Sequence, residues 1–295
     1  MNNKKINQFK FWYFKGLIKL LFIISFSNSF GQTKGRFNDL NMALSNPDSV
    51  VVLNLKNKGL TEFPKTILRF KNLRSLDISG NSIAELPNDL ATLSRLQYLD
   101  ISDNRIKQLP KSVASLNNLK SIHLGYNSSI DINQVLSVLT KISTLETLDL
   151  KYDGLSDLPP SIAELKNLKT LDLSGNPIKR LPAYLTRINS LQILYLNNDP
   201  YFDIESSTEV LIGLNKLQEL HLENDRLKIL PDEIFQMNNL KLLYLNQNEI
   251  YKLPSTFEEV KSLQYLDISG NPLPQFELEN FKQLYAPTLR INIGN

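Results

Sequence analysis

The run Leu73-Arg74-Ser75-Leu76-Asp77-Ile78-Ser79-Gly80-Asn81-Ser82-Ile83-Ala84-Glu85-Leu86-Pro87 decides the fold. Apolar residues fall at places 1, 4, 6, 11 and 14 of this frame, asparagine at place 9 and proline at place 15. The frame restarts at Leu96, Leu119, Leu145, Leu168, Leu191, Leu217, Leu240 and Leu263. Upstream it starts at Val50, with Lys58 in place of the asparagine. Ten units therefore tile residues 50–285; those at 119–144 and 191–216 have 26 residues and the rest 23. A fixed period of this size marks a stacked array whose units each supply one small structural element.

The unit LxxLxLxxNxLxxLPxxIxxLxxL resembles the leucine-rich repeat family. Its LPxxI half resembles the Ras-group-related class and many bacterial members. The match covers about four-fifths of the chain. The resemblance implies an α/β solenoid, a horseshoe with a parallel concave sheet and short helical or irregular convex segments. It also implies a module that binds protein ligands.

Elementary geometry gives each place a task. In Leu76-Asp77-Ile78 the side chains alternate, so Leu76 and Ile78 point inward and Asp77 points out. Strands of neighbouring units form a parallel sheet along the concave side. Ile83 and Leu86 turn the chain back across the core, and Pro87 opens a return segment because it cannot donate to a strand ladder. Leu90 and Leu93 close the convex side. No unit can bury its apolar face alone, so stacking is obligatory. The place-9 asparagines Asn81, Asn104, Asn127, Asn176, Asn248 and Asn271 suit the bend, since an amide both donates to and accepts from backbone. Asp153, Asp199 and Asp225 replace them, and an ionised carboxylate only accepts.

A longer period overlies the short one. The units at Leu119, Leu191 and Leu263 start 72 residues apart and lack the Leu-Pro pair. Val135-Leu136-x-x-Leu139 and Val210-Leu211-x-x-Leu214 have helical spacing, which predicts helical turns on the convex side. Within residues 32–49, Arg36 to Leu44 reads as an amphipathic capping helix ended by Ser45-Asn46-Pro47. Residues 286–295 form a partial terminal strand, with Leu289 and Ile291 expected at places 4 and 6. That strand leaves an open edge through which the chain could self-associate.

The first 31 residues differ from the rest. Lys4, Lys5, Lys10 and Lys15 precede an apolar stretch from Leu17 to Phe26, interrupted by Lys19, and Ser29-Phe30-Gly31 supplies small residues before Gln32. This is the pattern of a secretory signal, and export to periplasm, cell surface or medium is expected. The apolar stretch is about half the roughly 20 residues of a membrane span. The formal charge of +3 stems from this segment; without its five lysines, 28 basic residues face 30 acidic ones. So balanced a body, with no clustered basic stripe, does not attract nucleic acid.

Composition removes several chemistries. The absence of cysteine excludes disulfides, thiolate metal sites and cysteine nucleophiles. Neither a Gly-rich phosphate loop, a nucleophile elbow nor an HExxH motif occurs. No catalytic residue, resident metal or cofactor is expected. Candidate ligand contacts lie at outward strand places. In the place-5 column these are Asp77, Asp100, His123, Asp149, Asp172, Tyr195, His221 and Tyr244. Beside them stand Tyr98, Tyr126, Tyr152 and Tyr265. Asp100, His123 and Asp149 fall on successive strands and could reach one divalent ion or form a pH-sensitive cluster, though a flat sheet does not enclose a metal. The expected function is non-catalytic binding of a protein on the concave face. An envelope glycan, or an intracellular signalling partner if the signal is not one, is the alternative.

Overall fold

The computed structural model describes residues 34–254, 262–279 and 289–294. The expected signal at 1–31 lies outside them. Places 3 to 5 of every unit form a three-residue strand. In chain order these are β2 (Val52–Asn54), β3 (Ser75–Asp77), β4 (Tyr98–Asp100), β5 (Ser121–His123) and β6 (Thr147–Asp149). There follow β7 (Thr170–Asp172), β8 (Ile193–Tyr195), β9 (Glu219–His221), β10 (Leu242–Tyr244) and β11 (Tyr265–Asp267). With β1 (Arg36–Phe37) and β12 (Arg290–Asn292) they make one parallel sheet in sequence order; among the described residues β1 pairs only with β2 and β12 only with β11. This is the horseshoe-type solenoid that the repeat requires.

The strands are short because each unit must turn back within 23 or 26 residues. Leu76, Leu99, Ile122, Leu148 and Leu171 pair along place 4 and are fully buried. Burial of one such side chain is worth about 1.5–3 kcal/mol. On the convex side, Pro64, Pro87, Pro110, Pro159, Pro182 and Pro231 stand at the N-caps of five-residue 3₁₀ turns. In the longer units, α2 (Ile132–Leu139) and α3 (Ile204–Gly213) replace the turn. Asp131 and Asp203 cap them, each accepting at 3.1 Å from the backbone N–H of Gln134 or Ser206. The helical spacing of the apolar residues thus became helix where an aspartate, rather than proline, opens the segment.

The bend after each strand is held by the place-9 ladder. Asn176 Nδ2 donates to the carbonyls of Leu150 and Leu173 at 2.9 and 2.7 Å, while its Oδ1 accepts from the amides of Asp153 and Leu155. Asn81, Asn127 and Asn248 repeat this two-way bonding. Asp153 and Asp225 accept one amide each through Oδ1 at 2.7 Å, from Asn127 and Asp199. Their Oδ2 atoms are buried without a hydrogen-bond partner among the described residues. Burial pushes both carboxyls up to about 8, so at neutral pH they are protonated acids rather than carboxylates.

Both ends depart from the sequence expectation. Arg36 does not begin a helix. It pairs with Val52 in β1, and Gly35, at φ +85°, presents its carbonyl to the amides of Val51 and Val52 at 2.8 and 2.9 Å. The helix α1 (Leu40–Leu44) starts later, with Asp39 as its cap. An extended strand satisfies the edge amides of β2, which helix cannot do. At the other end β12 is shifted by two residues. Ile291, not Leu289, pairs with Leu266 at place 4. A two-residue shift keeps the same side chains facing inward, so alternation could not distinguish the two registers.

Candidate functional site

The ladder register lays the place-5 residues in one unbroken row from Asp77 on β3 to Asp267 on β11. The row is not a line of free side chains. Asp77, Asp100, Asp172 and Asp267 each use Oδ1 to accept from the amide and hydroxyl of the serine two residues on. In three of them the second oxygen is bonded as well. Asp77 accepts from Asn54 Nδ2 at 3.3 Å, Asp100 from the Tyr98 hydroxyl at 3.2 Å, and Asp267 from Asn292 Nδ2 at 3.0 Å and the Tyr265 hydroxyl. Asparagine at place 5 thus closes the acidic row at both ends. Burial, then the charge of Asp149, raises the carboxyl of Asp172 above its ordinary value.

In the first half of the face, His123 joins Asp149 but not Asp100. Its Nδ1 lies 3.2 Å from Asp149 Oδ2 and its Nε2 2.9 Å from Ser121 Oγ. Lys151 Nζ donates to the same Asp149 oxygen at 2.7 Å. Desolvation works to raise the Asp149 carboxyl, but the bonds from His123 and Lys151 win and hold it down at about 2. Both imidazole nitrogens are occupied, so neither is presented to an ion. Among the described residues no group of three or more His, Asp or Glu side chains is arranged to hold a metal. The Tyr98 ring leans on His123 with centroids 5.0 Å apart.

The second half is an aromatic pile. Tyr195 and Tyr244 sandwich the His221 ring at 4.1 and 4.2 Å. Tyr265 continues the pile, and the Arg290 guanidinium sits 5.9 Å over its ring. His221 Nε2 lies 2.8 Å from Glu219, and its Nδ1 3.1 Å from Glu223. Desolvation would lower the imidazole, but bonding to the two carboxylates outweighs it and the group rises to about 9. His221 is therefore an imidazolium at neutral pH, and Tyr244 is only 6% exposed. Sequence reasoning missed Glu219, Glu223, Ser121 and Lys151. The signal was there: in Glu219-Leu220-His221-Leu222-Glu223 a period of two puts both acids on the histidine's face.

Tyr126 and Tyr152 behave differently. They stack face to face, 4.7 Å apart and 14° from parallel, at place 8 on the rim where the strands end. Tyr126 is 46% and Tyr152 37% exposed. Every place-8 residue of the ten units has a positive φ. Eight are Gly, Asn, Asp or Gln; the two tyrosines, at φ 64° and 55°, are the exceptions. A bulky side chain in that left-handed region costs roughly 1–2 kcal/mol.

Comparison with known proteins bears on the fold. Residues 29–149 match a family described as "Leucine-rich repeat region", and residues 143–200 and 215–273 match "Leucine rich repeat". No curated protein sequence matches. Among solved structures, an internalin (inlF) from Listeria monocytogenes is 21% identical, with TM-score 0.59 over 84% of this chain and 76% of its own. Internalin C2 (inlC2) of the same organism is 24% identical, with TM-score 0.56 over 68% of this chain and 83% of its own. TLR13, solved as a complex with ssRNA13, is 24% identical, with TM-score 0.66 over 83% of this chain but 37% of its own. Likenesses at these identities concern the fold alone.

Proposed function

As the chain belongs to the leucine-rich repeat family, we propose that it is an exported, non-catalytic module that binds a protein on its concave sheet face. The observation carrying this proposal is the continuous row of charged and aromatic side chains across nine consecutive strands, from Asp77 to Asp267. Asp149, His221, Tyr244 and Asp267 are buried within it, so the row is a rigid base, and its partly exposed members Asp77, Asp100, His123, Asp172 and Tyr195 offer a preformed surface with hydrogen-bonding and aromatic groups, the chemistry that protein interfaces use. The acid–base groups on it are bonded to one another rather than aimed into a cleft. Export draws its support from the lysine-bearing start and the apolar Leu17–Phe26 stretch. No helix among the described residues is long and apolar enough to cross a membrane.

The test uses two arginine substitutions in the full chain. Thr170→Arg places bulk and charge on β7 at place 3 of the concave face, two residues before Asp172 of the row, where the side chain is partly exposed. Asp89→Arg does the same on an exposed convex turn. Each chain serves as bait against envelope and secreted fractions. A partner kept by Asp89→Arg and lost by Thr170→Arg is the expected result. The reverse pattern moves the site to the convex side and sinks the proposal.

A further inference from the structure

Most aromatics of the concave face are satisfied by their neighbours. Tyr195, His221, Tyr244 and Tyr265 support one another, and Tyr98 bonds Asp100. Tyr126 and Tyr152 are exposed at backbone positions that suit glycine or asparagine, a placement that folding alone does not favour. One end of their stack is closed. A Cβ built at Gly175 would lie 2.3 Å from Tyr152 Cε1, so that ring covers the glycine. The stacking order Tyr126, Tyr152, Gly175 turns the other face of Tyr126 toward the preceding unit. There Asp103, exposed, holds the same place 8, its amide donating to the Gly125 carbonyl at 2.8 Å. The cation nearest Tyr126, Lys151, is taken up by Asp149, and a half-exposed tyrosine with an aspartate at the same place one strand away suits a planar cation, which gains from the ring and from the carboxylate together.

We infer that Tyr126, backed by Tyr152 and flanked by Asp103, is the anchor position for an arginine side chain of the protein ligand. The inference rests on the concave-face proposal and adds the chemistry of the contact. Its test uses hexa-arginine peptide as the probe in the full-length protein, at physiological salt, with hexalysine and soluble peptidoglycan fragments beside it. Binding is read by calorimetry and stability by urea unfolding, for the parent, Tyr126→Asn and Asp103→Asn. The expected result is saturable binding of hexa-arginine, tighter than hexalysine. Tyr126→Asn should weaken it about tenfold, while unfolding at the same or a higher urea concentration, because asparagine accepts the left-handed backbone. Asp103→Asn should weaken it by a smaller factor. No saturable binding by the parent, unchanged binding by Tyr126→Asn, or preference for the glycan overturns the inference. So does a Tyr126→Asn protein that is less stable than the parent, which would make the pair a structural prop. If the captured partner is lost by Thr170→Arg but kept by Tyr126→Asn, the anchor falls and the concave-face proposal stands.

Discussion

Replacing Asp153 or Asp225 by asparagine should stabilise this protein, and increasingly so as pH rises. Both carboxyls are buried, 3% and 2% exposed, with Oδ2 unpartnered among the described residues. Each titrates at about 8 in the fold and near 3.9 in the unfolded chain. A carboxyl whose pKa rises on folding binds its proton more tightly in the native state. Its contribution to stability is therefore complete below about pH 4 and lost as pH climbs toward about 8. At about 1.4 kcal/mol per pH unit the upper limit is about 6 kcal/mol per site, and water entering the bend leaves on the order of half. The amide has no such proton to lose. It also donates as Asn176 does to Leu150 and Leu173, each bond worth about 1 kcal/mol. The assay is urea unfolding of parent, Asp153→Asn and Asp225→Asn at several values between about pH 4.5 and about pH 8.5. We expect a gain of about 1 kcal/mol in acid that grows by about 2–3 kcal/mol at the alkaline end. Parallel curves, or variants weaker than the parent at high pH, would refute the assignment of these groups as neutral acids.

Two further outcomes follow from the same geometry. His221, raised to about 9 in the fold from about 6.5 unfolded, contributes stability below about pH 6.5 that is lost as pH rises through about 9. Its ring proton resonance, followed by NMR, should titrate near 9; a midpoint at the free-histidine value would show that Glu219 and Glu223 do not hold it. Gly175→Ala should lose about 1–3 kcal/mol, since the position has φ +67° and the new Cβ would meet the Tyr152 ring. An unaltered urea midpoint for that variant would count against the closed end of the tyrosine stack.

How far the candidate site could be read in advance differs residue by residue. That Asp77, His123 and Tyr195 share one face follows from a side-chain period of two, and the register confirms their common row. Which neighbours they bond does not follow from spacing. Asp149 joins His123 and Lys151, whereas Asp100 turns to Tyr98. Those choices depend on rotamers and on the lateral distance between strands. The same limit applies to exposure. Tyr244 and Tyr126 both stand at outward places, yet only Tyr126 is open, because aromatic neighbours flank Tyr244 on both sides.

The sequence by itself determined the repeat, the inward and outward places, the asparagine ladder and the obligatory stacking. These rest on local periodicity and on the need to bury apolar groups and pair backbone, a pattern repeated over ten units, with asparagine at place 9 in six of them. Only the tertiary structure decided the rest. It set the terminal register at Ile291, the strand at Arg36, the protonated state of Asp153 and Asp225, and the left-handed backbone beneath Tyr126 and Tyr152. Each of these depends on what the adjacent unit places within a few ångströms, and a side chain's burial, charge and strain are properties of that neighbourhood rather than of its own repeat.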